Sequence, residues 1–126
     1  MAITPEGPRH PAGSVYPDIA VVAQGLCDLL GSELAASMAG VKDPGQAREW
    51  ARGDLEPTQA AQQRLRFAYD LLHEVEAAEG RKVAQAWATS VNPRLYYGTP
   101  LKAIREDRFQ DTAAAAKALM EDAYEG

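Results

Sequence analysis

Residues 58–80 read Thr58-Gln-Ala-Ala61-Gln-Gln-Arg64-Leu65-Arg66-Phe67-Ala68-Tyr69-Asp70-Leu71-Leu72-His73-Glu74-Val75-Glu76-Ala-Ala-Glu79-Gly80. Within this stretch Ala61, Leu65, Ala68, Leu72 and Val75 recur at steps of four, three, four and three, the period of one apolar helix face. Thr58 is a helix-starting residue and Gly80 a breaker. The segment therefore predicts one long amphipathic helix, against which shorter elements on either side can pack.

Upstream, Ile19, Val22, Leu26 and Leu29 keep the same period until Gly31. Ser32 and Glu33 open a short helix carrying Leu34, Ala35 and Met38, which Gly40 ends. Asp43 caps a third helix from Pro44, with Ala47, Trp50 and Ala51 facing inward and Gly53 after it. Downstream, Val83, Ala84 and Trp87 mark a fifth helix, and Thr99 caps a sixth with Leu101 and Ile104. Phe109, Ala113, Ala116 and Met120 mark a seventh. No segment alternates with period two for long enough to make a strand, so the expected fold is all-α. Pro5, Pro8, Pro11 and Pro17 with Gly7 and Gly13 make residues 1–16 a flexible tail, by the same reading. Residues 17–80 then form a helix–turn–helix-like region for dimerisation or DNA binding, and residues 81–126 a second helical module.

The chain has 126 residues and a net charge of −5. That length suits one compact domain or a small domain with a helical module, and excludes a barrel or doubly wound enzyme. Cys27 is the single cysteine, so neither an internal disulfide nor a cysteine-based zinc site is available, and a reducing cytoplasm is the expected compartment. No apolar run approaches the roughly 18 residues of a membrane span, and no signal-peptide layout opens the chain. Charge is unevenly spread. In residues 32–66, Lys42, Arg48, Arg52, Arg64 and Arg66 are matched by Glu33, Asp43, Glu49, Asp54 and Glu56, whereas residues 67–126 carry an acidic excess.

Catalytic chemistry has little to stand on. His10 lies in the tail, and His73 falls off the long helix's apolar stripe with no ligand one turn away. Cys27 sits among core residues as a small hydrophobe. Glu74, Glu76 and Glu79 make a solvated helix face, and the glycines are scattered singly rather than gathered into a phosphate loop. No enzyme, metal or cofactor is expected.

Two stretches carry interaction chemistry. Leu34–Met38, Gly40 and Pro44–Arg52 give two short helices about a glycine-containing turn, the spacing of a helix–turn–helix. With Trp50 inward, the second helix would offer Gln46, Arg48, Glu49 and Arg52, with Lys42 in the turn, to base edges or phosphates. Neutral charge over this region predicts few phosphate contacts per copy, so DNA binding would need a dimer or partner. The same element could also serve only folding or dimerisation. The second stretch is Trp87-Ala-Thr-Ser-Val-Asn92-Pro93-Arg94-Leu95-Tyr96-Tyr97-Gly98-Thr99-Pro100-Leu101. Asn-Pro starts a turn, and Thr-Pro-Leu starts a helix. The turn either displays Arg94, Tyr96 and Tyr97 to a partner, since Arg and Tyr anchor interfaces, or lets one or both tyrosines cap the core. Past it, residues 109–126 form an amphipathic helix with an acidic, aromatic end at Glu121, Asp122, Tyr124 and Glu125.

Several of these residues in order resemble the Xre/MbcA/ParS antitoxin family. They are Gly40-Val41-Lys42-Asp43-Pro44, Arg48-Glu49-Trp50-Ala51-Arg52-Gly53, Gln63–Tyr69, Ala86-Trp87, Asn92-Pro93-Arg94-Leu95, Thr99-Pro100-Leu101 and Arg108-Phe109. The resemblance spans roughly residues 18–122, and the block from Asn92 to Leu101 carries most of it. It implies a helical, often homodimeric antitoxin of a type II toxin–antitoxin system, with a divergent helix–turn–helix and a C-terminal toxin-binding domain. The implied partner is a RES-domain toxin that consumes NAD, whose active-site cleft the antitoxin covers; such complexes often repress their own operon. By position, Asn92, Pro93, Arg94, Pro100 and Leu101 would shape the toxin-binding domain. Tyr96, Tyr97, Arg105, Arg108, Phe109 and the last helix to Tyr124 would meet the toxin. The chain differs from the family at Tyr96-Tyr97, where members carry small residues, often glycine. An acidic helix with an aromatic tip would suit a basic NAD cleft. Two further readings stand beside this one: a transcription regulator acting through its helix–turn–helix, and an orphan or phage-borne homologue without its own toxin.

Overall fold

The computed structural model describes residues 17–125, with side chains through Asp122, and every regular element in it is helical. The tail and His10 lie outside the described residues, as does the side chain of Tyr124. In chain order the helices are α1 (Ile19–Leu30), α2 (Ser32–Ala39), α3 (Pro44–Arg52), α4 (Gln59–Glu79) and α5 (Arg81–Thr89). A single 3₁₀ turn, Pro93–Leu95, precedes α6 (Pro100–Arg105) and α7 (Phe109–Glu125).

Local chemistry sets the boundaries. The Asp43 carboxylate accepts from Gly45 N at 2.8 Å with Pro44 at the first helical position, so α3 starts with one of its orphan donors satisfied. Thr58 Oγ1 accepts from Ala61 N at 3.2 Å, and Thr99 Oγ1 from Lys102 N at 3.1 Å. At Gly80 the chain leaves α4 and enters α5 through one residue with φ of 96°, a conformation that favours glycine.

The long helix α4 buries Ala61, Leu65, Ala68, Leu71, Leu72 and Val75, and its neighbours assemble around it. Helices α1, α2 and α3 pack on one another, α1 and α2 rest on α4, and α5, α6 and α7 complete the enclosure. Trp50 from α3, Leu26 from α1, Leu95 from the 3₁₀ turn and Ile104 from α6 are all nearly solvent-free and belong to one hydrophobic cluster. Residues on both sides of Gly80 share that cluster.

Several apolar positions depart from expectation. Val83 on α5 and Leu34 on α2 are exposed, because each helix is short and only one side meets the body. On α7 the buried face runs through Thr112, Ala115 and Ala116, while Ala113 and Met120 are half-buried. Thr112 tolerates burial because its hydroxyl donates to the Arg108 carbonyl at 2.7 Å. Cys27 is half-buried rather than enclosed, and its Sγ lies 3.9 Å from the Ala47 carbonyl oxygen. Burial pushes its thiol pKa up, the Asp28 carboxylate adds to this, and Arg48 partly opposes it.

Candidate functional site

The α2–turn–α3 segment, expected to form a helix–turn–helix, packs α3 on α1 and α2 with Trp50 as its buried anchor. Lys42, Arg48 and Arg52 are exposed, whereas Gln46 and Glu49 are half-covered. Arg48 Nη1 donates to Ser32 Oγ at 2.9 Å, and Arg52 Nε pairs with Asp54 at 2.9 Å. Of the residues expected to face DNA, Lys42 and Arg48 thus keep a charge with no carboxylate on it among the described residues. Arg52 is already neutralised. His73 is exposed, with its ring tilted against Tyr69 at 4.1 Å between centroids.

One side chain ties this corner to the C-terminal helices. Arg64 of α4 donates from Nε and Nη2 to the two Asp107 oxygens at 3.0 and 3.2 Å, and from Nη1 to the Ala39 carbonyl at 2.9 Å. It therefore holds the end of α2 and the α6–α7 turn together through a planar fork. A Cβ on Gly40 would lie 2.4 Å from Arg64 Nη1, so glycine there keeps the space the guanidinium needs.

The loop between α5 and α6 is closed upon itself. Asn92 N donates to the Gly98 carbonyl at 2.9 Å, and Tyr97 N and Leu95 N both donate to the Asn92 carbonyl at 2.9 Å. The Asn92 side chain accepts from Arg94 N at 2.9 Å. Leu95 plugs the core at 1% exposure and fixes the loop from below. Tyr96 and Tyr97 follow with φ of 57° and 64°, two consecutive left-handed residues with Cβ atoms. Each such residue costs roughly 1–2 kcal/mol of steric strain. The strain does not place the rings in the core: Tyr96 is 82% exposed and Tyr97 71%. That removes the reading in which the tyrosines cap the core. Val91 is also exposed, as is Arg94, whose guanidinium holds no partner among the described residues.

The residues around the loop divide into presenters and supports. The Arg108 guanidinium lies 5.1 Å from the Tyr96 ring centroid and is gripped by Glu106 and Asp111 at 3.4 and 3.3 Å. Arg108 is half-buried, so it positions Tyr96 more than it offers a free charge. Phe109 stacks on Phe67 at 4.6 Å and packs against the core, away from the displayed surface on which it was expected. Arg105 is exposed and donates to Ser37 Oγ at 3.2 Å.

Beside the loop, Leu34 and Ser37 of α2 face Leu101 and Arg105 of α6 across a depression of about 300 Å³. A second one, about 170 Å³, is lined by Tyr96, Tyr97 and Arg108. Thr99 and Lys102 line both, so the two depressions adjoin as a paired trough that shares these residues. Sequence reasoning missed Lys102, Leu34 and Ser37. Lys102 follows the Thr-Pro-Leu helix start with no signal of its own, and α2 meets α6 only through the tertiary fold. Among the described residues no cluster of His, Cys, Asp and Glu could hold a metal, and no helix is long and apolar enough to cross a membrane. Compared with family models, curated proteins and solved structures, the chain matches none.

Proposed function

We propose that this chain is a protein-binding inhibitor of the antitoxin type, which seats on a RES-domain, NAD-consuming toxin and covers its active-site cleft. The observation that carries the reading is the pair Tyr96–Tyr97, exposed on a closed loop in left-handed backbone. Strain kept at exposed aromatic positions serves no packing purpose, and tyrosine is a residue type that anchors protein interfaces. The resemblance of Asn92–Leu101 to the Xre/MbcA/ParS family names the kind of partner. Inhibition is steric: the loop and α6 occupy the mouth of the cleft, and this chain performs no chemistry.

Co-expression with the product of the neighbouring reading frame, co-purification and an NAD-consumption assay test this. Tyr96→Ala with Tyr97→Ala should weaken inhibition by at least about tenfold, the loss of one anchor's worth of binding. A double variant that inhibits as well as the parent chain sinks the assignment to the loop. Truncation after Met120 checks the acidic end separately, because it spares the buried Thr112, Ala115 and Ala116. Loss of inhibition on that truncation alone would move the contact to the end of α7.

A second reading, operator binding by a homodimer, is favoured by Lys42 and Arg48, which are exposed and free of carboxylates among the described residues. Lys42→Ala with Arg48→Ala should abolish an operator gel shift and leave toxin inhibition intact.

A further inference from the structure

Two cations stand side by side on the trough with no carboxylate paired to either among the described residues. The chain is acidic overall, and four of its described arginines lie on carboxylates: Arg52 on Asp54, Arg64 on Asp107, Arg81 on Glu76 and Arg108 on Glu106 and Asp111. Lys102 and Arg105 do not. Arg105 holds only the Ser37 hydroxyl, Lys102 makes no ion pair among the described residues, and neighbouring Glu106 is taken by Arg108. Two cations without an ion pair therefore stand in the depression whose walls include Leu34, 38% exposed, and Leu101. Tyr96 and Tyr97 line the adjoining one, with Lys102 shared and Glu106, paired to Arg108, also on its wall.

We propose that this trough docks an acidic segment of a partner protein, with carboxylates set beside apolar side chains. The carboxylates meet Lys102 and Arg105, and the apolar groups lie on Leu34 and the tyrosines. Complementary charge of this kind sets register and association rate, while the apolar contacts supply residence time. A nucleic-acid strand suits the trough less well. Its phosphates need a longer run of cations, and a chain of net charge −5 repels a polyanion at a distance. The partner's seat is thus acidic here, the reverse of an acidic helix entering a basic cleft. The inference rests on the proposed function only in taking the partner to be a protein.

The test titrates the full chain into a fluorescein-labelled peptide of repeating Leu-Glu-Glu units, its Leu-Gln-Gln counterpart, and oligothymidine of equal length, read by anisotropy. The acidic peptide should bind at least about tenfold tighter than either control and weaken as salt rises. Lys102→Glu with Arg105→Glu should lose about tenfold or more, and Lys102→Gln with Arg105→Gln an intermediate amount. Circular dichroism on each variant separates lost binding from lost fold, and the neutral pair keeps the test valid if the charge reversal does not fold. No binding of the acidic peptide, equal binding by the neutral pair, or tighter binding of oligothymidine overturns the inference. A co-expressed toxin complex that survives the neutral substitutions also sinks the trough but leaves the antitoxin reading standing. Charge-dependent peptide binding without any toxin complex sinks that reading and leaves the trough.

Discussion

The α2–α3 corner and the α5–α6 loop both turn the chain through left-handed backbone, yet they fill those positions differently. At the corner the residues are Gly40 and Gly53, with φ of 102° and 80°; in the loop they are Tyr96 and Tyr97. Glycine adopts that region without a Cβ clash, whereas tyrosine carries strain of about 1–2 kcal/mol per residue. The corner also hides its aromatic: Trp50 is 2% exposed, against 82% and 71% for the tyrosines. The corner's left-handed turns are unstrained glycines, whereas the loop carries its strain beneath two exposed rings; Asp107, left-handed at φ of 64°, carries it beneath the Arg64 pair.

Substitutions can break or sharpen that contrast. The largest effect belongs to the corner: Trp50→Ala removes a fully packed ring and should cost about 3–5 kcal/mol in urea unfolding. Arg64→Ala should cost about 1.5–3 kcal/mol, because it leaves the Ala39 carbonyl and Asp107 without their shared charged donor. Hydrogen exchange of that variant should also show both the corner and the α6–α7 turn loosened, as earlier exchange at the Val41 and Arg108 amides. Tyr97→Gly should run the opposite way, gaining up to about 1 kcal/mol as the left-handed strain disappears, while partner binding falls by at least about tenfold. If Tyr97→Gly destabilises the chain, the loop belongs with the corner and the contrast collapses. Smallest of all, Lys42→Ala with Arg48→Ala should shift stability by less than about 0.5 kcal/mol, since both are surface side chains.

Much of the fold was legible in the sequence because its determinants are local. Asp43, Thr58 and Thr99 cap the helices they precede, and the four-three stepping through Ala61, Leu65, Ala68, Leu72 and Val75 marks the buried face of α4. On α7 the same reasoning slipped, because Thr112 is polar by composition and apolar by circumstance once its hydroxyl is bonded within the helix. The site was legible only in part. Asn92, Arg94 and the tyrosines announce a displayed turn, but whether tyrosine faces in or out depends on backbone handedness that composition does not encode. Arg64–Asp107 and Arg105–Ser37 join residues far apart in the chain, so no spacing rule could have found them. The regional charge tally does not see such pairing either. It counts carboxylates along the sequence, whereas Glu106 and Asp111 pair with Arg108, and Lys102 and Arg105 hold no carboxylate among the described residues.

The closed hydrogen bonding of the α5–α6 loop has an evolutionary consequence. Asn92, Leu95, Tyr97 and Gly98 satisfy one another's backbone groups, and Leu95 alone of the loop's interior residues enters the core. The side chains at 94, 96 and 97 are therefore held by a frame that does not depend on them. A lineage can exchange those three without disturbing the helices beneath.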